Sequence, residues 1–168
     1  MLQYVLVLLI MLAGCGSDAQ SKKWAKQTLA GKPPMVFIKG FVELGYTENR
    51  GMVFGIMNNE KGSVFKNVLT WVRFAIFIAV TIVIYAWRRR PVMALLPFLL
   101  IWAGAIGNLI DQLSRGYVVD FIHLHAGEVL DWPFLFNLAD AYLCIGMALL
   151  IAASLFQKKG KATCGSAA

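Results

Sequence analysis

A chain of 168 residues that is 59% hydrophobic and only 15% charged is too apolar for an ordinary soluble domain, and its mean hydropathy of +0.66 implies several membrane helices. The net charge of +7 does not point to nucleic acid, because the basic residues cluster beside apolar runs, where topology and anionic lipid headgroups account for them. Three cysteines, Cys15, Cys144 and Cys164, are an odd number without metal or disulfide spacing, which argues against a disulfide framework.

Residues 2–13 are apolar and lead into Leu12-Ala13-Gly14-Cys15, a run like the cleavage site of a lipid-modified secretory precursor. A secretory signal needs a positively charged start, and no Lys or Arg precedes Lys22, so a retained first helix is expected. It must extend to about residue 19 to cross hydrocarbon. A chain anchored at Cys15 is the weaker reading. Residues 20–65 are polar and contain glycine. Within them, 35–44 (MVFIKGFVEL) and 50–57 (RGMVFGIM) read as short strands. The Lys-rich stretch 22–32, before Pro33-Pro34, is expected to lie along a membrane surface.

Further spans are expected over 68–87, 92–111 and 134–156. Arg73 should snorkel to the interface, and Arg88-Arg89-Arg90-Pro91 forms a dense basic stop. The expected fold is therefore an α-helical integral membrane protein with four transmembrane helices. A single polytopic domain covers 1–168, with a small β-containing extracytoplasmic segment over 20–65. Four spans place both termini on one side with the 88–90 loop. The compact basic clusters at Arg88–Arg90 and at Lys158, Lys159 and Lys161 mark that side as cytoplasmic.

Between these apolar flanks, residues 107–140 hold four aspartates. Two of them close matching phrases, Asn108-Leu109-Ile110-Asp111 and Asn137-Leu138-Ala139-Asp140. An Asn and an Asp three apart share a helix face, and ionisable groups at membrane depth are functional candidates. Asp120 sits among Val118, Val119, Phe121 and Ile122, where partial desolvation should raise its pKa. Asp111 has Arg115 one turn on, so a salt bridge should keep it ionised and structural. Asp120 and Asp140 have no basic residue within four positions. Brought together, two such carboxyls share a proton, one activating a water while the other polarises a carbonyl.

Blander readings accompany this one. The aspartates would only bind backbone or waters in a bundle, or serve a non-enzymatic small transporter as a proton relay. A relay would line a path across the bilayer, whereas here the acids crowd one face. His123-Leu124-His125, with Glu128 and Asp131, lacks a settled ligand spacing, so no metal is expected. Trp71, Trp87, Trp102 and Trp132 read as interface or bundle residues, and no cofactor is expected.

Four phrases carry a family resemblance: NRGMVFG (49–55), GNLID (107–111), GYVVDFI (116–122) and FNLAD (136–140). Together, and in this order, they resemble the bacterial lipoprotein signal peptidases, signal peptidase II; FNLAD alone would be a weak signal. The resemblance implies an intramembrane aspartic endopeptidase of the bacterial inner membrane, with its active site near the extracytoplasmic face. Such an enzyme removes signal peptides from prolipoproteins, cutting before the diacylglyceryl-modified cysteine without a covalent intermediate. By motif position the catalytic pair is Asp120 and Asp140. Asn49, Gly51, Asn108, Asp111 and Asn137 are implied substrate contacts. Asp18 and Lys22 look like the family's acidic and basic pair after the first helix and join Arg115 as support. Diacylglyceryl-modified prolipoproteins and membrane lipids are the implied partners of a chain expected to act as a monomer. One position departs from the pattern: Gln112 stands where the family usually has arginine. Glutamine donates hydrogen bonds but lacks a charge and a guanidinium fork, and Arg115 is the arginine nearest to it in the chain. The tail 164–168 carries no readable signal.

Overall fold

In lipid a backbone must satisfy its own hydrogen bonds, so long apolar runs fold as helices. The computed structural model, which describes residues 2–50, 62–126 and 130–165, has four of them: α1 (Leu2–Leu29), α2 (Gly62–Ala86), α3 (Val92–Arg115) and α4 (Leu138–Gly165). Among the described residues, α1, α3 and α4 each hold a stretch long and apolar enough to cross a membrane. The apolar part of α2, Thr70–Ala86, is shorter, although the whole helix has 25 residues and so a length of about 38 Å. Leu8, Leu12, Ile82, Ile151 and Phe156 are exposed on the helix flanks, as a lipid-facing belt requires.

Four strands, β1 (Met35–Ile38), β2 (Val42–Asn49), β3 (Val118–Ala126) and β4 (Leu130–Phe136), form one antiparallel sheet in the order β1-β2-β3-β4. Two local expectations change. The apolar stretch 35–44 is two strands rather than one, because Gly40 at φ 77° turns the chain and Phe41 N–H bonds Ile38 O at 2.9 Å. The fourth helix starts at Leu138, not at 134, because residues up to Phe136 pair with β3. The expected strand over 50–57 lies almost wholly outside the described residues.

The first helix also runs past residue 19 to Leu29. Asp18, Lys22, Ala25 and Leu29 are buried along it at helical spacing, so packing rather than bilayer thickness decides where it ends. Lys22 is therefore a core residue, not a lysine lying along the membrane surface. The extension has a purpose in the fold: Ala25 and Leu29 form a small core with Leu44, Val119 and Phe121 of the sheet.

Helix α3 is central and packs against α1, α2 and α4. Small residues permit the close approach, as is usual between membrane helices. A Cβ on Gly104 would run into Ala139 O and Leu143, and one on Gly107 would come within 2.5 Å of Asp18 Oδ2. Trp102 Nε1 donates to Thr81 Oγ1 at 2.9 Å and ties α3 to α2. At the far end of α1, Gln3 Nε2 donates to Arg88 O at 3.1 Å and to Arg90 O. The chain's start and the 88–90 loop thus share one end of the bundle. Gly104→Ala should cost about 1–3 kcal/mol by overpacking, read as a lower thermal midpoint in detergent. Gly16→Ala, whose added methyl meets nothing within 4 Å, should leave the midpoint unchanged or slightly raised.

Candidate active site

The two N-L-x-D phrases are built differently. Asn108 and Asp111 lie inside the closing turns of α3 and are buried. That helix ends at Gly116, whose left-handed φ of 74° lets its N–H bond Gln112 O at 3.1 Å. Gln112 Nε2 donates to Gly116 O at 3.2 Å, while its Oε1 is buried with no hydrogen-bond partner among the described residues. The turn feeds β3, which sets Asp120 opposite Thr47 of β2.

Asn137, by contrast, precedes α4 and caps it. Its Oδ1 accepts the Asp140 N–H at 3.0 Å, and Asp140 Oδ2 accepts the Asn137 N–H at 3.2 Å. This is a reciprocal capping box written with Asn and Asp. Asp18 completes the helix start from α1, its Oδ1 accepting the Ala139 N–H at 3.0 Å. The shared-face reading therefore holds only for the first phrase; in the second, the asparagine stands just outside the helix.

A continuous polar chain joins these parts. Lys22 Nζ lies 2.8 Å from Asp18 Oδ2 and 3.1 Å from Asp111 Oδ2, and it donates to Asn108 Oδ1 at 3.0 Å. Arg115 Nη1 meets the other oxygen of Asp111 at 2.9 Å, the ion pair expected from their spacing. With its oxygen held by the ammonium, Asn108 turns Nδ2 to Asp140 Oδ1 at 2.7 Å. Asn137 Nδ2 donates to Asp120 Oδ1 at 2.6 Å, and Asn49 Nδ2 donates to Asp120 Oδ2 at 3.0 Å. Asn137 thus bridges the two carboxyls.

Asp120 and Asp140 both line a cleft of about 220 Å³, together with Asn49, Arg73 and Asn108 and an apolar wall that includes Ile76 and Leu143. Such a volume has room for several waters or a peptide group. Asp18, Lys22, Asn49, Asn108, Asp111, Arg115, Asp120, Asn137 and Asp140 all enter the network, whereas Gly51 lies outside the described residues. The donor groups of the three asparagines point to aspartates, and Asp111 is occupied by its two cations rather than lining the cleft. Arg73, read from its place near the start of α2 as a residue that can snorkel to the interface, lines the cleft. A lone cation inside an apolar run was the available signal. Glu128 also lies outside the described residues, and Asp131 is the register partner of His125.

Burial pushes the Asp120 carboxyl from its ordinary 3.8 up to about 6, with the neighbouring Asp140 charge adding to the rise. Hydrogen bonds from Asn49 and Asn137, and the Lys22 charge, oppose it. Folding therefore favours neutral Asp120. The stability this contributes is complete below the ordinary value and is lost as pH rises through about 6. The difference corresponds to about 3 kcal/mol. Asp120→Asn is neutral at every pH, so between pH 4 and 7 its unfolding free energy should gain on the parent by about that amount. Unfolding curves in detergent at both pH values measure this, and a constant gap contradicts the raised pKa.

Comparison with known proteins agrees with this architecture. The family model described as "Signal peptidase (SPase) II" matches residues 10–156. A lipoprotein signal peptidase of Clostridium tetani is 34% identical over 144 residues, covering 86% of this chain and 88% of that protein. One from Francisella tularensis subsp. novicida is 36% identical over 127 residues, covering 74% and 76%. A solved structure described as a bacterial membrane enzyme, obtained by the in meso method at 2.3 Å, superposes with a TM-score of 0.71 at 26% identity and covers 93% of this chain and 91% of that one. With a multi-pass helical fold, a small sheet at one end and family matches through most of its length, the chain belongs to the signal peptidase II family of bacterial membrane proteases.

Proposed function

We propose that the chain is an intramembrane aspartic endopeptidase that removes signal peptides from prolipoproteins by cutting before the diacylglyceryl-modified cysteine. The observation that carries this reading is the placement of Asp120 and Asp140 on one cleft, bridged by Asn137. Family membership supplies the substrate class. Two neighbouring carboxyls share one proton. The ionised member takes a proton from a water, whose oxygen attacks the scissile carbonyl carbon while the protonated member donates to the carbonyl oxygen. Collapse of the tetrahedral intermediate breaks the C–N bond, and a proton passes to the departing amine. The products are the signal-peptide carboxylate and the free amino group of the lipidated cysteine. No covalent enzyme intermediate forms.

Asn49, Asn108 and Asn137 orient the two carboxyls, and their remaining amide capacity serves the substrate backbone. In a cleft with an apolar wall each unmet substrate amide costs several kcal/mol. Arg73 faces the same cleft and favours an ionised member of the pair. The apolar wall suits signal-peptide side chains and acyl chains. The membrane is the bacterial inner membrane, with both termini on the cytoplasmic side. The bond from Gln3 to the 88–90 loop supports that orientation, since Asp18 lies some 22 Å further along α1. The working unit is a monomer.

Asp120→Asn and Asp140→Asn should each lower cleavage of a lipid-modified precursor peptide by at least about 100-fold, with helicity and membrane insertion kept. Asn108→Ala should weaken cleavage clearly but less. Near-normal turnover by either aspartate variant, measured with purified protein in detergent, removes the assignment. A precursor lacking the diacylglyceryl group should be processed poorly. Equal processing of both precursors would leave only a general membrane protease.

A further inference from the structure

We propose that Glu43, His123 and His125 form a binding site for a divalent transition-metal ion of the zinc class, clipping β2 to β3 outside the cleft. Each side chain offers one donor atom, and the three atoms lie within 4.8 Å of one another. Both imidazoles converge on the same carboxylate oxygen: Glu43 Oε2 is 3.4 Å from His125 Nε2 and 4.0 Å from His123 Nδ1. The two rings stand edge to face with centroids 4.2 Å apart. Around zinc, nitrogen and oxygen ligands at about 2.0–2.2 Å in a tetrahedron are about 3.3–3.5 Å from each other. The Glu43–His125 separation already has that value, and the other needs only a small side-chain rotation.

The arrangement follows from the sheet. A histidine at every second strand position repeats on one face, and the antiparallel register sets Glu43 opposite His123. The side chains are 20%, 19% and 34% exposed for His123, His125 and Glu43, and the His125 Nε2 donor is itself buried, so much of their hydration is already lost. Two imidazoles and a carboxylate are a borderline donor set that suits zinc and leaves a fourth position for water. A Glu43 ion pair with one protonated histidine would use some of the same atoms, but it does not require both rings to meet one oxygen. The strands so joined carry Asn49 and Asp120, while none of the three ligands lines the cleft. The ion orders the sheet and takes no part in the chemistry.

The test uses the untagged full-length chain in detergent, stripped with a chelator and titrated with Co²⁺ and then Zn²⁺. One Co²⁺ per chain should bind with the visible absorption of a tetrahedral site, Zn²⁺ should displace it, and Zn²⁺ should raise the thermal midpoint. His123→Ala, His125→Ala and Glu43→Gln should each weaken binding by more than about 100-fold, since outer hydrogen-bond partners alone account for about 10–100-fold. A variant with Cys15, Cys144 and Cys164 all replaced by serine should bind as the parent does. No saturable binding at micromolar metal would reduce the cluster to an ion pair and overturn the proposal. Binding that survives loss of both histidines would overturn it equally.

Discussion

The structure depends on one buried ammonium. Lys22 is 1% exposed and touches Asp18, Asp111 and Asn108. An isolated charge there would be prohibitive, and removing one partner from a buried pair typically costs about 3–5 kcal/mol. Two cations, Lys22 and Arg115, balance two carboxylates, Asp18 and Asp111, so the knot is neutral as a whole. It joins α1 to α3, and through the Ala139 N–H it reaches the first turn of α4. Gly107 is what allows Asp18 to come this close to α3. One set of hydrogen bonds therefore offsets the burial of Lys22, Asp18 and Asp111 and aligns three helices.

Polarity is passed from that knot to the cleft by neutral amides. Asn108 accepts from Lys22 and donates to Asp140; Asn137 caps α4 and donates to Asp120. A lysine or arginine in either place would hold its carboxyl firmly ionised. An asparagine fixes the orientation of a carboxyl without imposing a full charge, which leaves the proposed pair able to exchange one proton. The capping box also locates Asp140 by backbone geometry, so its position is tied to the start of a helix rather than to a loose rotamer.

The sheet has the opposite problem, since four short strands with exposed Val36, Phe37 and Phe41 have little core of their own. The extended end of α1 supplies it through Ala25 and Leu29. Because β2 and β3 carry Asn49 and Asp120, that contact also sets one wall of the cleft. Packing in the sheet and geometry in the cleft are thus coupled through a single helix.

Much of this was legible in the chain. Apolar runs mark the helices because lipid demands internally bonded backbone. The i,i+4 spacing of Asp111 and Arg115 announced their ion pair, and the paired phrases around Asp111, Asp120 and Asp140 marked the region where chemistry is possible. These are local signals, readable from spacing and neighbours. What only tertiary structure decided are the meetings of distant residues: Asn49 with Asp120 across 71 positions, Lys22 with Asn108 across 86 and Asp18 with the Ala139 N–H across 121. The same holds for Arg73 turning to the cleft, and for Glu43 joining two histidines that carried no complete ligand pattern. Strand pairing likewise moved the start of α4 to Leu138, and helix packing lengthened α1, since an apolar run of a few residues suits strand or helix until its partner is present. Periodicity records which face of an element is buried; it does not record which other element lies against that face.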